Sequence, residues 1–227
     1  DDEFVSDLAQ NDIMWPVSLA VDEKGFLYCT DEIKNKVLKY NSKDQKVFEW
    51  GVQGSAEGEF SKPAGITSDL GGHLYVVDAG NHRIQKFTSD GEFIHTWGEF
   101  GSDSGQLSDP WGITVDSEGF VYVADWGNNR VQKFTGDGEW LQNFGVSSPD
   151  ALRLNHPSDV AVDSEGDVYV ADWGNKKVQI FDSDGEILTS LYGDATEFSR
   201  SALNFLEVNQ DYYKAFKRAK DKSRLGV

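Results

Sequence analysis

The sequence has few of the residues that would indicate a cross-linked, membrane-spanning or metal-binding protein. Cys29 is the single cysteine among 227 residues, which excludes an intramolecular disulfide. No apolar run approaches the roughly 18 residues of a membrane-spanning helix. The four histidines are spread along the chain at positions 73, 82, 95 and 156. We therefore expect a soluble protein with no membrane span, no metal and no cofactor.

Basic residues are also scarce. Lys and Arg number 21 against 39 Asp and Glu, so the formal net charge is −18. A nucleic-acid-binding face needs a basic stripe to neutralise phosphates, so this acidic composition argues against a nucleic-acid partner. Residues 211–227 are the exception, with six basic and two acidic side chains that leave the remainder of the chain at −22.

What the sequence does contain is one passage repeated at a fixed interval. The repeats are aligned on prolines spaced 47 residues apart, at positions 16, 63, 110 and 157. The copy from Asp109 reads DPWGITVDSEGFVYVADWGNNRVQKFTGDGEW, and the copy from His156 reads HPSDVAVDSEGDVYVADWGNKKVQIFDSDGEI. Two further copies begin at Lys62 and, in its least regular form, at Trp15. A fixed period of this length indicates a repeat architecture.

Each copy contains four short apolar runs separated by turn signals such as Asp137-Gly138. In the third copy these runs are Gly112–Val115, Val121–Ala124, Arg130–Phe134 and Trp140–Phe144. The first two runs are apolar on both faces and must be covered on both sides, whereas the third carries polar residues and is expected nearer solvent. Four antiparallel strands per repeat, each sheet packed between its neighbours, predict the blades of an all-β propeller.

The first run of each copy carries small residues, including Gly65 and Gly112, where blades would converge on the axis. The apolar residues beside them are equivalent in the four copies and are expected to be buried against the next blade: Leu19, Ile66, Ile113 and Val160.

The consensus P-x-G-I-x-V-D-x-x-G-x-V-Y-V-A-D-x-G-N-x-R-V-Q-x-F resembles the NHL repeat over about residues 15–192. Asn81-His82-Arg83 and Asn128-Asn129-Arg130 are close to the family's pattern, while Lys replaces Arg in the first and fourth copies. The resemblance implies a propeller, usually six-bladed, that serves mostly as a binding platform and in some relatives as an enzyme. Four copies then form an arc or fragment of a six-bladed type, a four-bladed ring, or an arc completed by another chain. Open blade faces would favour self-association.

The repeat ends before position 204, where Asn204 stands in place of the expected proline. From about Thr196 the turn signals stop, and the apolar residues have roughly helical spacing. The sequence therefore predicts an N-terminal tail or partial strand over 1–14, propeller blades over 15–195, and a helical insertion or cap with a basic end over 196–227.

One face of the propeller is expected to bind a ligand. In a four-stranded meander, the loop into the first strand and the loop between the second and third strands lie at the same end of the blade. This end carries the predicted ligand-binding residues: Trp111, Trp126, Trp173, Asn128, Asn175, His82 and His156. Trp111 is replaced by other residues in the remaining three copies, and the position shared by Trp126 and Trp173 holds Glu32 and Ala79 in the first two copies. The fold therefore does not require these tryptophans, and large aromatics suit ligand contact. The competing interpretation is that each Trp covers the neighbouring blade.

These observations favour a non-catalytic scaffold that binds a protein, peptide or saccharide on the tryptophan-bearing face. The alternative is a metal-dependent lactonase-like or lyase-like enzyme that uses the central cavity. Convergence of three or more Asp, Glu, Asn or His side chains at the centre would favour that enzyme. The aspartates that recur at strand ends are expected to accept backbone N–H groups in turns.

Overall fold

The computed structural model describes residues 12–146 and 152–192. The chain divides into two compact units, residues 1–191 and 192–227, and the strands below belong to the first apart from the final residue of β16. The predicted helical segment 196–227 lies outside the described residues.

The described residues form sixteen strands in four sheets, each sheet antiparallel and in chain order. Blade 1 contains β1 (Pro16–Val21), β2 (Leu27–Asp31), β3 (Lys36–Tyr40) and β4 (Lys46–Trp50). Blade 2 contains β5 (Pro63–Ser68), β6 (Leu74–Asp78), β7 (Arg83–Phe87) and β8 (Phe93–Trp97). Blade 3 contains β9 (Pro110–Val115), β10 (Val121–Asp125), β11 (Arg130–Phe134) and β12 (Trp140–Phe144). Blade 4 contains β13 (Pro157–Val162), β14 (Val168–Asp172), β15 (Lys177–Phe181) and β16 (Ile187–Tyr192).

The strands predicted for the third copy are confirmed, and the observed bounds differ from the predicted ones by two residues at most. Their turns have the expected chemistry: Gly119 and Gly138 adopt positive φ values of 87° and 88°, which a side-chain-bearing residue rarely adopts. In blades 2, 3 and 4 the second and third strands are joined by a three-residue 3-10 turn: Ala79–Asn81, Trp126–Asn128 and Trp173–Asn175. The four sheets are therefore four copies of one blade.

Hydrophobic cores fill the spaces between consecutive blades. Between blades 2 and 3, Tyr75 and Val77 pack with Ile113, Val121 and Phe134, all of them buried. Fully burying one such side chain stabilises a fold by roughly 1.5–3 kcal/mol. Nearest the axis the backbones themselves meet, because a Cβ added to Gly65 would lie 2.5 Å from the carbonyl oxygen of Trp111. The predicted small residues thus mark the places where first strands approach most closely.

Burial corrects one prediction about the first strands. Ile66, Ile113 and Val160 are buried as expected, but they face the preceding blade and not the next one. Leu19 is 61% exposed, which contradicts the prediction that it is buried. The reason is its position on the first of the four sheets, where no described blade precedes it.

The third strand was also placed wrongly by sequence. In β11 the residues Arg130 and Gln132 are buried, and it is the fourth strand, β12, that is largely open to solvent. The polar side chains of this inner strand are buried because they form hydrogen bonds inside the protein. Their polarity therefore did not mean exposure to solvent.

Candidate functional site

We call the upper face the end of the blades that carries the loops into the first strands and the loops between the second and third strands. A buried carboxylate at the end of each second strand positions these loops. Asp125 is fully buried and accepts hydrogen bonds from the backbone N–H of Ser108 at 2.8 Å and from Arg130 Nε at 2.8 Å. Gln132 and Asn128 donate to the same carboxylate at 3.0 and 2.9 Å. A fully partnered carboxylate of this kind fixes the loops around it. The expectation that these aspartates accept backbone N–H groups is confirmed, and the side-chain donors were not anticipated.

The arginine of this network binds the connection between blades. Arg130 donates from its two Nη atoms to three backbone carbonyls of the segment that leads from blade 2 into blade 3: Ser102, Asp103 and Gln106. Arg83 makes the same contacts one blade earlier, with Ser55, Ala56 and Glu59. A planar guanidinium with five donors can satisfy a carboxylate and several carbonyls at once. We call each such buried Asp with its Asn and Gln partners a clamp; in blades 2 and 3 the clamp also includes the Arg.

Asn128 and Asn175, predicted to bind ligand, belong to these clamps. Asn128 Nδ2 donates to the carbonyl of Gly101 and to Asp125, and Asn175 Nδ2 donates to the carbonyl of Arg153 and to Asp172. These framework contacts account for their recurrence in the repeat. Their role in ligand binding stays a prediction.

A second contact joins each upper loop to the next blade. The residue after the 3-10 turn of blade 2, His82, has left-handed backbone with φ of 54°, and its Nδ1 accepts the N–H of Asp109 at 3.2 Å. Asn35 and Asn129 accept from Lys62 and His156 in the same way, at 2.9 and 2.8 Å. Each acceptor therefore holds the residue before the next blade's first proline. His82 and His156, predicted to contact ligand, both have such framework contacts.

A substitution at His82 tests this contact. We expect His82→Asn to leave the free energy of unfolding nearly unchanged, because asparagine supplies the same acceptor in blades 1 and 3 and tolerates left-handed backbone. We expect His82→Leu to lose about 1–2 kcal/mol through the missing acceptor and the strained φ. Urea denaturation of both variants measures the difference, and equal stabilities would contradict the assigned role.

Trp111 and Trp126 lie together on the upper face. Their ring centroids are 5.9 Å apart, and Trp126 also packs on the imidazole of His156 at 4.2 Å. Trp111 is 47% exposed, whereas Trp126 is partly buried and its indole nitrogen has no hydrogen-bond partner among the described residues. Trp126 therefore covers the junction of blades 3 and 4, as the competing interpretation expects. Trp111 faces outward, as the ligand-binding interpretation expects.

These rings border an open cavity of about 550 Å³ that reaches from blade 1 to blade 3. Apolar and small residues line it together with the two tryptophans: Val17, Ala64, Ala79 and Gly80. Charged and polar residues also line it: Glu32, Ser61, Lys62, His82 and Asp109. An aromatic wall with a few polar groups is the usual composition of a ligand site. We call this cavity the tryptophan pocket.

Trp173, the third predicted tryptophan, does not line the tryptophan pocket. It is 65% exposed and borders a separate cavity of about 490 Å³ on blade 4, with Ala171 and Val178. The structure therefore brings Trp111, Trp126, His82 and His156 into one neighbourhood and leaves Trp173 in another.

The first strands surround a smaller central cavity of about 230 Å³, lined by residues of all four blades. Asp159 occupies the position that Gly65 and Gly112 hold in blades 2 and 3. The Asp159 side chain is exposed, but the neighbouring strands partly desolvate its carboxyl and raise the pKa, against a lowering contribution from the N–H of Val160. Within residues 12–146 and 152–192, no three His, Cys, Asp or Glu side chains converge to form a metal site. In the same part of the chain, no helix is long and apolar enough to cross a membrane.

Comparison with known protein families identifies the same repeats that the sequence and the blades show. The NHL repeat family model matches residues 60–87, 107–134 and 154–181. The chain therefore carries NHL repeats in blades 2, 3 and 4, which supports an NHL-repeat family, and the structure adds a first blade that the family model does not match. No curated protein matches the chain in sequence.

Several solved propeller structures share the fold. A catalytically inactive variant of virginiamycin B lyase from Staphylococcus aureus, determined with quinupristin, aligns with a TM-score of 0.64 at 18% identity, over 83% of this chain and 59% of the lyase. Hydrazine synthase from Kuenenia stuttgartiensis aligns with a TM-score of 0.61 at 17% identity, over 83% of this chain and 52% of that one. A chain of the nidogen/laminin complex aligns with a TM-score of 0.51 at 17% identity, over 82% of both chains. The chain thus spans less than two thirds of the lyase and of the synthase, and these likenesses concern the fold.

Proposed function

We propose that this chain is a non-catalytic binding scaffold whose tryptophan pocket recognises a protein, peptide or saccharide. The observation that carries the proposal is Trp111. The equivalent positions in the other blades hold Val17, Ala64 and Ser158, so the fold does not need an indole there. Nearly half of this large apolar side chain is nevertheless open to solvent beside a cavity.

The composition of the pocket supports this class of ligand. The exposed indole of Trp111 offers a flat apolar surface, and Glu32, Lys62 and Asp109 supply charges of both signs in the lining. A sugar ring or an aromatic side chain of a peptide has a flat apolar face with polar edges, which matches that arrangement. The mixed charges and the acidic body fit a nucleic-acid ligand poorly.

The comparisons add support of a general kind. The nidogen/laminin complex is an assembly of proteins, and its propeller chain is similar to this one in fold. The rival function, a metal-dependent lactonase-like or lyase-like enzyme, would use the central cavity, where Asp159 is the candidate titratable group among the described residues. A single carboxylate in the central cavity supports an enzyme less well than the tryptophan pocket supports ligand binding. We therefore propose the binding role.

Loss of the exposed indole tests this role. We expect the purified protein to retain members of a glycan array or a displayed peptide library, and Trp111→Ala to weaken that binding by about thirtyfold or more, the effect of a hot-spot residue of about 2 kcal/mol. Trp140→Ala is the matched control, because Trp140 is 37% exposed on outer strand β12, away from the pocket.

The control should bind like the unchanged protein, and both variants should keep its thermal melt. Equal binding by the two variants, or no binding to either library, would contradict the proposal.

A further inference from the structure

The tryptophan pocket and the central cavity adjoin at Trp111. This residue lines both cavities, together with Val17 and Ala64. The central cavity continues from there to Asp159 of blade 4. A Cβ added to Gly112, the residue after Trp111, would lie 2.4 Å from Oδ1 of Asp159. The carboxylate of Asp159 therefore lies beside the strand that carries the exposed indole.

Asp159 has no cation beside it. The hydrogen bond that its carboxylate accepts comes from the N–H of its own neighbour Val160, at 3.0 Å. No Lys, Arg or His in the described part of the chain pairs with it, and no positive charge offsets the rise in pKa that desolvation causes. A partly desolvated carboxylate is more stable with a cation than without one, so this site favours a ligand that supplies positive charge.

The fold does not require a carboxylate at position 159. The equivalent residues of the other three first strands are Ser18, Gly65 and Gly112, and none of them is charged. Asp159 therefore departs from the repeat as Trp111 does, and the two departures meet at one place.

Two further carboxylates line the tryptophan pocket, those of Glu32 and Asp109. Glu32 occupies the turn position that holds Ala79 in blade 2 and tryptophan in blades 3 and 4. Among the described residues that line the two cavities, Lys62 is the single lysine or arginine against three carboxylates. The adjoining cavities thus combine an aromatic wall with a net negative charge.

An arginine side chain matches this combination. Its guanidinium is planar, always charged, stacks on aromatic faces and pairs with a carboxylate through parallel N–H groups. A neutral sugar would cover Asp159 without supplying a charge. The net charge of −18 also attracts a basic ligand over a longer range.

We propose that the ligand of this site is a peptide segment of another protein that presents an arginine, with the guanidinium stacked on Trp111 and paired with Asp159. The inference rests on the proposed binding role of the tryptophan pocket. It adds the charge of the ligand and extends the binding site into the central cavity.

Peptide selection tests the ligand class. Peptides selected on the unchanged protein from a displayed library should contain arginine, and one of them is then synthesised with arginine, lysine or glutamine at that position. In isothermal titration calorimetry with EDTA present, the glutamine peptide should bind about tenfold or more weakly, because it loses the cation–π contact and the charge-assisted hydrogen bonds. The lysine peptide should bind with intermediate affinity, since it keeps the charge but not the planar group.

Asp159→Asn tests the partner of that arginine. The amide retains an acceptor for the N–H of Val160, so the thermal melt should stay close to that of the unchanged protein. The arginine peptide should bind this variant about tenfold more weakly, whereas the affinity of the glutamine peptide should not change. Glu165→Gln is the matched control, because it removes one exposed carboxylate from the turn between β13 and β14, at the other end of the same blade. It should bind the arginine peptide like the unchanged protein.

The outcomes distinguish this inference from the proposed function. Selected peptides without arginine, or binding of neutral glycans alone, would overturn the arginine ligand and leave the binding role in place if Trp111→Ala still weakens that binding. Equal affinities of Asp159→Asn and Glu165→Gln for the arginine peptide would also overturn it, because Asp159 would then have no specific part in binding. No binding to either library would overturn both proposals.

Discussion

Asp125→Ala should lower the free energy of unfolding by about 3–5 kcal/mol, the range observed when one partner of a buried ion pair is removed. The substitution leaves the guanidinium of Arg130 buried without its carboxylate and frees the N–H of Ser108 and the amides of Asn128 and Gln132. Urea denaturation measures the loss.

Asp137→Ala is the matched control for that experiment. Its carboxylate also pairs with a cation, Lys86, but its side chain is 90% exposed, and exposed pairs contribute about 1 kcal/mol or less. A loss for Asp125→Ala as small as that of the control would show that the clamp does not hold the blades together.

Gly112→Ala should destabilise the protein by about 3 kcal/mol, the upper part of the usual range for overpacking. The added Cβ would lie 2.5 Å from Cα of Asp159 and 2.9 Å from the carbonyl oxygen of Ser158, and both of these belong to the first strand of blade 4. Backbone cannot move aside as a flexible side chain can, so blades 3 and 4 would have to separate near the axis.

Gly71→Ala provides the comparison in a thermal melt. A Cβ at Gly71 would meet the side chains of Asp69 and His73 at 3.2 Å in an exposed turn, where a small adjustment suffices. We expect this variant to melt close to the unchanged protein. Similar melting of the two variants would mean that the first strands are not closely packed at the axis.

The 47-residue period was sufficient to predict the blades, because each copy repeats the strand and turn chemistry of the others. The predicted strand from Arg130 to Phe134 coincides with β11. Repetition could not show what lies beyond the first and last copies, and this is why the burial of Leu19 was predicted wrongly. A repeated sequence specifies a repeated environment only where both neighbouring blades are present.

The polarity of a single residue did not predict whether its side chain is buried. Arg130 and Gln132 are buried because a carboxylate and several carbonyls from distant segments accept their hydrogen bonds. No local pattern in the sequence predicts those acceptors. The recurrence of Asp125, Asn128, Arg130 and Gln132 at fixed spacing in two or more copies was the available signal. Recurrent polar residues of a repeat are better interpreted first as internal hydrogen-bonding partners.

The candidate site was predictable to the extent that it departs from the repeat. Trp111 differs from its counterparts and lines the pocket, and meander geometry predicted that it shares a face with Trp126, which the structure places in contact with it. The framework contacts of His82 and His156 were not predictable, because they depend on left-handed backbone at one residue meeting the N–H of another 27 positions away.

The clamps also separate what must stay constant in each upper loop from what is free to vary. In blades 2, 3 and 4 the glycine in the middle of the 3-10 turn donates its N–H to the preceding connection, and the asparagine after it belongs to a clamp. The side chain of the first residue of the turn makes neither of these contacts. This position holds Ala79, Trp126 and Trp173 in the three blades. Each of these three blades therefore has one position on the upper face whose side chain lies outside the framework hydrogen bonds. If this face binds a ligand as we propose, substitutions at these positions change the ligand preference and leave the framework in place.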